Sequence, residues 1–255
     1  MDQPRAWYDT YSSELESRGW TACPHEPGLF RKGEMALSVY VDDSLISGPS
    51  LVECQAEMEA ILNHFKGTVV HPTKIHADGT EERDLLGSTL LFNRNKRFMK
   101  IHMKSYIEKM LAKFNMVGCK PANSPCAPYA DLSLGKVDEK FPMRQLVGSI
   151  LWLSTMCRPD VSYAVQKVAQ FADKPTTAAI VAGKRILKYV AGTMEQGIFY
   201  SPENEQAFRE TYQKVLNEQN EDIEAANQVL PDHVGFTDSD FAGDTLTLRS
   251  TSGSC

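Results

Sequence analysis

Apolar positions recur at three- and four-residue spacing in residues 7–19, where Tyr8, Tyr11 and Leu15 form one stripe, and this predicts a short amphipathic helix. A loop rich in Pro and Gly follows at 23–28. From 35 to 41 the period changes to two, with Leu37, Val39 and Val41 on one face, and an extended pattern resumes at 44–47. The two runs predict a β-hairpin with Asp42-Asp43 at its tip, closed by Gly48-Pro49. Residues 51–65 are helical, with Ser50 as N-cap and Glu53 completing a capping box. After a polar, turn-rich stretch at 71–82, strands at 84–92 and 97–103 flank a turn at 93–96.

Helical spacing then returns at 105–116, where Ile107, Met110, Leu111 and Phe114 form a stripe and Lys109 and Lys113 lie off it. Four turn formers (Pro121, Pro125, Pro128, Gly135) mark 121–140 as a loop between subdomains. Three helices follow at 143–156, 160–172 (opened by Pro159) and 177–191 (capped by Thr176). The first is apolar nearly all round, which predicts burial between neighbours. Residues 201–231 are polar and acidic, a linker or a solvated helix, and 234–237 begins a strand leading into Asp238-Ser239-Asp240.

At 255 residues, 42% apolar and 24% charged, the chain is of globular composition and long enough for two domains, or one with an appendage. The most apolar stretch, 146–156, is broken by Gly148, Ser149, Ser154 and Thr155, and the N-terminus lacks a basic-then-apolar leader. The expectation is a soluble chain without membrane association, in the cytoplasm or the nucleus. Six scattered cysteines include no CxxC pair, and Cys23–His25 and His71/His76 supply pairs rather than the four donors of a zinc site.

The net charge of -6 conceals segregation. Residues 94–120 carry eight basic residues and one acid, Glu108, a net of +7, whereas 201–232 carry eight acids against Arg209 and Lys214. The basic run is either a solvated helix face or a surface that attracts a phosphate backbone.

Asp-Asp is common at turns because aspartate tolerates left-handed backbone and caps its own chain. Here the pair follows a β-forming Val-Tyr-Val run, and no lysine or arginine lies between Met35 and Ser50 to neutralise it. Two carboxylates held so close repel each other and favour a divalent cation between them. Nucleotidyl transfer uses two such ions, about 3.5–4 Å apart.

Tyr40-Val41-Asp42-Asp43 resembles the YVDD box of reverse transcriptases, and the surrounding blocks resemble the Pol polyprotein of copia-type retrotransposons. Pro4-Arg5-Ala6-Trp7-Tyr8 is similar to that family's "QAPRAWY", and Glu26-Pro27-Gly28-Leu29-Phe30 to its "DPxLF". The run from Leu146 to Leu153 with Arg158-Pro159-Asp160 resembles "LVGSLLYL…TRPDI", and that from Lys184 to Tyr189 with Gly192-Thr193 resembles "KRILRYLKGT". Gly235-Phe236-Thr237-Asp238-Ser239-Asp240 resembles the opening of a ribonuclease H domain.

The resemblance implies an α+β fold: a reverse-transcriptase palm portion with antiparallel hairpins, a helical thumb and connection, and a truncated ribonuclease H-like start. The implied divisions are 1–130 (palm, primer-grip hairpin, start of the thumb), 131–200 (helical connection), 201–232 (acidic linker) and 233–255 (start of ribonuclease H). It implies catalytic Asp42 and Asp43, with Asp42 the direct ligand of Mg2+ (or Mn2+) and Asp43 a second ligand. Asp238 would be a metal ligand of the ribonuclease H site, and Tyr40, Lys104, Lys109 and Lys113 would contact nucleic acid. Lys184, Arg185 and Lys188 are secondary contacts on the same ground. The implied partners are an RNA or DNA template–primer, deoxynucleotides and the rest of the polyprotein. Reverse transcriptases also carry a third metal-binding aspartate on an upstream strand, and none of the acids before Asp42 fits it. The expectation is an RNA-directed DNA polymerase fragment, incomplete alone. The alternatives are a non-catalytic nucleic-acid-binding remnant or, of a different class, a helical interaction protein built from 143–191.

Overall fold

The computed structural model describes residues 3–128, 130–219, 237–240 and 251–254. The chain divides into two compact units, Met1–His71 and Pro72–Cys255. Both are α+β, and among the described residues every strand pairing is antiparallel.

In the first unit, α1 (Gln3–Ser17) precedes a four-stranded meander of β1 (Thr21–Cys23), β2 (Glu26–Lys32), β3 (Met35–Tyr40) and β4 (Asp43–Ser47), and α2 (Leu51–His64) follows it. Register aligns Phe30 with Leu37 and Leu37 with Ile46, so one row of apolar side chains crosses the sheet. That row packs with Tyr11 and Leu15 of α1, Trp20, and Ile61 of α2. The predicted stripe on the first helix is therefore the face that is buried, and Ser50 caps α2 by accepting from the Glu53 N–H at 3.3 Å. Glu57 on α2 accepts from the Trp20 indole (3.1 Å) and pairs with Lys32, which joins the helix to the sheet.

The expected loop at 23–28 is instead part of a hairpin, since β2 starts at Glu26. Its glycine serves close approach rather than a turn: a Cβ on Gly28 would sit 2.8 Å from the Val39 carbonyl oxygen.

The second unit opens with β5 (Lys74–Ile75), β6 (Glu81–Leu85), β7 (Ser88–Asn93) and β8 (Phe98–His102), joined far along the chain by β9 (Ile198–Tyr200) into a five-stranded sheet in sequential order. The expected strand at 84–92 is broken by a two-residue turn, Leu86-Gly87, with φ of 50° and 76° and Leu85 paired to Ser88. Both central residues are left-handed, as a type I′ hairpin requires.

Around this sheet lie α3 (Lys104–Lys113), α4 (Met143–Met156), a 3-10 turn (Pro159–Val161), α5 (Ser162–Ala169), α6 (Thr177–Gly192) and the outlying α7 (Pro202–Gln219). Thr176 caps α6 by accepting from the Ala179 N–H at 3.0 Å. Ile107, Met110 and Leu111 of α3 share one core with Leu146, Ile150 and Leu153 of α4, Val165 and Val168 of α5, and Ile186, Leu187 and Val190 of α6. Gly183 lets α6 approach α4, since a Cβ there would meet Leu146 Cδ2 at 2.8 Å. Contrary to the all-round burial expected of α4, Leu151 and Trp152 are exposed.

Of the two readings of 201–231, a helix is the one seen as far as Gln219, exposed over 203–211, while 220–236 lie outside the described residues. The final ladder pairs β10 (Thr237–Asp240) with β11 (Thr251–Ser254). No helix among the described residues is long and apolar enough to cross a membrane.

Candidate functional site

Sequence places Asp42 and Asp43 together at the hairpin tip, whereas the turn falls one residue earlier than expected. Tyr40 pairs with Asp43, so the two-residue loop is Val41-Asp42 and Asp43 is the first residue of β4. Val41 adopts φ of 55°, which is uncommon for a β-branched side chain, while its side chain stays exposed. Alternation along β3 and β4 sends Leu37 and Ile46 to the core and Ser38, Tyr40, Asp43 and Leu45 to the open face. Asp42, Asp43 and Tyr40 are all exposed.

Helix α1 holds this turn from behind. Trp7 donates its indole N–H to the Val41 carbonyl (3.1 Å), and the Tyr11 hydroxyl bonds Ser44 Oγ (2.9 Å) on the core side of β4. Burial raises the Tyr11 pKa and outweighs the opposite effect of the Ser44 bond, so its hydroxyl stays protonated at neutral pH. Trp7 and Tyr11 also pack on Phe65, with centroids 5.3 and 5.1 Å from its ring. These positioning residues escape a reading of the turn alone. In the sequence Trp7 shows only as part of the Pro4–Tyr8 block and Tyr11 only as part of the stripe on the first helix, neither of which points to the turn.

Among the described residues no ion pair or side-chain hydrogen bond engages Asp42 or Asp43. Mg2+ is often held by one or two carboxylates and completes its octahedron with water and phosphate oxygens. The pair meets that minimum, and no group of three or more His, Cys, Asp or Glu able to hold a metal occurs among the described residues.

The three lysines assigned to nucleic acid all lie on α3, in different surroundings. Lys104 pairs with Glu195 at 2.7 Å, a partner 91 positions away that no local pattern signals. This bond raises the pKa of Lys104 and lowers that of Glu195. Lys109 is exposed and forms no ion pair among the described residues, while Lys113 Nζ lies 5.5 Å from the Phe114 ring centroid. Elsewhere in the basic run, Lys96 pairs with Asp78 at 2.7 Å and Arg94 sits over Phe92, so the +7 is partly compensated. On α6, Arg185 donates to Ser124 and Lys184 lies over Phe141, while Lys188 is exposed. Asp238 lies on β10 in register with Gly253.

A buried ionic site in the second unit has no counterpart among the site residues expected from sequence. Arg158 is 1% exposed. Its Nε and Nη2 donate to both oxygens of Asp160 (2.9 and 2.7 Å), and it also donates to the Thr193 carbonyl (2.9 Å) and hydroxyl (2.8 Å). The Tyr189 hydroxyl donates to Asp160 at 2.9 Å. Burial favours the neutral acid, but the bonds from Arg158 and Tyr189 prevail and hold the Asp160 pKa below the usual carboxylate range. The network ties the 3-10 turn to the C-terminal end of α6.

Comparison with known proteins gives this arrangement a family. The chain is 33% identical over 208 residues to the retrovirus-related Pol polyprotein from transposon RE1 of Arabidopsis thaliana, covering 79% of this chain and 13% of that protein. It is 29% identical to the corresponding polyprotein from transposon RE2, also of Arabidopsis thaliana, covering 98% of this chain and 15% of that protein. An uncharacterized mitochondrial protein of the same plant is 30% identical over 223 residues, covering 87% of this chain and 78% of its own length. No family model matches, and no solved structure matches. The chain belongs to the copia-type retrotransposon Pol polyprotein family. It spans about one seventh of the RE1 and RE2 polyproteins.

Proposed function

We propose that this chain is part of an RNA-directed DNA polymerase, with Asp42 and Asp43 as its metal-binding pair and template–primer as its substrate. The observation that carries the reading is the hairpin: two adjacent, exposed and unneutralised carboxylates at a turn anchored by Trp7 and Tyr11. Asp42 and Asp43 would hold Mg2+ (or Mn2+), which when bound acidifies a primer hydroxyl and neutralises the phosphates of a deoxynucleotide. The chain's own contribution is orientation. The Trp7 bond to the Val41 carbonyl fixes the loop, and the pairing of Tyr40 with Asp43 fixes where the second carboxylate starts. Tyr40, exposed on the same face as Asp43, is the side chain suited to pack on a primer terminus. Lys109 and Lys113 would contact backbone phosphates, which position a duplex without reading its sequence. Asp238 would belong to a separate ribonuclease H metal site. Two carboxylates are fewer donors than a two-ion centre needs, so the remaining ligands would come from other parts of the polyprotein.

Primer extension on a homopolymer template tests this, using the Pol polyprotein that contains this chain. Asp42→Asn should lower the rate by more than about 100-fold, beyond what loss of a supporting residue costs. Extension that survives in both Asp42→Asn and Asp43→Asn would refute the assignment. That no group of three or more His, Cys, Asp or Glu able to hold a metal occurs among the described residues favours a second reading, a non-catalytic nucleic-acid-binding remnant. Salt-sensitive template–primer binding that is unchanged by Asp42→Asn, with no extension, would select it.

A further inference from the structure

The second unit contains a cleft of about 1030 Å³ that the hairpin chemistry does not use, lined by Lys100, Lys104, Arg158, Tyr189, Glu195 and Phe199 among others. Its wall is built by the late return of the chain to the sheet. β9 pairs with β8 so that Phe199 stands opposite Lys100. Gly197 permits this join, because a Cβ there would fall 1.9 Å from the Ile101 carbonyl oxygen. Cross-strand partners share a face, and residues two apart on one strand do as well, so Phe98, Lys100 and Phe199 stand together. The Phe98 and Phe199 rings lie 5.7 Å apart, and Phe199 is still 44% exposed. An aromatic face left open beside a lysine is a stacking surface with a phosphate contact next to it.

The other groups around the cleft fit the same use. Arg158 and Asp160 satisfy each other, which leaves that side rigid and nearly neutral. Lys100 forms no ion pair among the described residues, and Lys104 is engaged by Glu195, an exposed side chain that also feels Lys100. The cleft is of small-ligand size, suited to one or two nucleotides rather than a duplex. It offers no bidentate fork to a base edge, so its selectivity would be for unpaired bases rather than for sequence.

We propose that this cleft is a binding site for single-stranded nucleic acid, with a base stacked on Phe199 and flanking phosphates on Lys100 and Lys104. The proposal rests on the nucleic-acid reading above and adds a second, strand-selective contact to it. The test is fluorescence anisotropy of the full chain with a labelled short oligothymidylate and, separately, a labelled blunt duplex, over a salt series. Phe199→Ala should weaken oligothymidylate binding by about ten-fold and Phe199→Trp should restore it, with duplex binding changed by less than about two-fold. Lys100→Ala should flatten the salt slope for the single strand by about 0.7. Glu195→Gln, which removes the acid facing both lysines, should tighten single-strand binding. Photocrosslinking of a bromouracil-substituted strand should map to the peptide containing Phe199. Single-strand binding unaffected by Phe199→Ala and Lys100→Ala, with crosslinks elsewhere, overturns the cleft and leaves the nucleic-acid reading standing. Failure of the unaltered chain to bind either probe at low salt overturns both.

Discussion

Replacing Val41 by glycine should stabilise the first unit, although the same exchange within a strand does the opposite. Val41 sits at φ of 55° with 67% of its surface exposed. Left-handed backbone costs an L-residue about 1–2 kcal/mol, which glycine does not incur. Glycine also loosens the unfolded chain, at a cost of about 0.4–1 kcal/mol, and little burial is lost here. The balance is a gain of about 0.5–1 kcal/mol. Val39→Gly, in the strand and half-buried, should instead cost more than about 1 kcal/mol. Urea unfolding followed by tryptophan fluorescence in a Trp152→Phe background isolates the first unit, because the remaining reporters are Trp7 and Trp20. If Val41→Gly proves as destabilising as Val39→Gly, Val41 is not strained and the turn is not as described. The stabilised variant should also bind divalent metal more weakly, since a glycine turn no longer fixes the carboxylates.

Acid sensitivity follows from Asp160, whose folded pKa lies below its unfolded value of about 3.9. A depressed carboxylate contributes its full stability above the unfolded pKa and loses it as pH falls through the folded one, so the second unit should weaken below about pH 4. Asp160→Asn should flatten that acid limb in a circular-dichroism titration, and an unchanged limb would refute the role of the network. Cys157 is buried, and burial pushes its thiol up to about 11, so a disulfide reagent near neutral pH should modify it only in urea. Rapid modification of native protein at this position would contradict the packing between the 3-10 turn and α4.

Where periodicity and capping agree, the elements were legible in the sequence. The Ser50 and Thr176 caps, the stripe on α3 and the limits of α4 all emerge as expected. What stayed hidden involves contacts distant in sequence. Gly28 and Gly197 look like loop residues but mark close backbone approach, so β2 and β9 were not anticipated. Leu86 takes left-handed backbone inside an apolar run, which conceals a turn that Asn or Asp would have announced. The hairpin was expected and its tip was displaced by one residue, because strained Val41 rather than Asp43 occupies the loop. Of the candidate site, the carboxylates and the α3 lysines could be named from sequence. The Trp7 and Tyr11 anchors and the Glu195 partner could not, since each depends on how distant segments meet.

The polymerase assignment requires Asp42 and Asp43 to bind a divalent cation together. Water-proton relaxation in a Mn2+ titration of the full chain, with template–primer and deoxynucleotide present, measures this directly. The expected result is a saturable enhancement that is lost in Asp42→Asn and weakened in Asp43→Asn. An enhancement of equal size in the Asp42→Asn/Asp43→Asn double variant would contradict it.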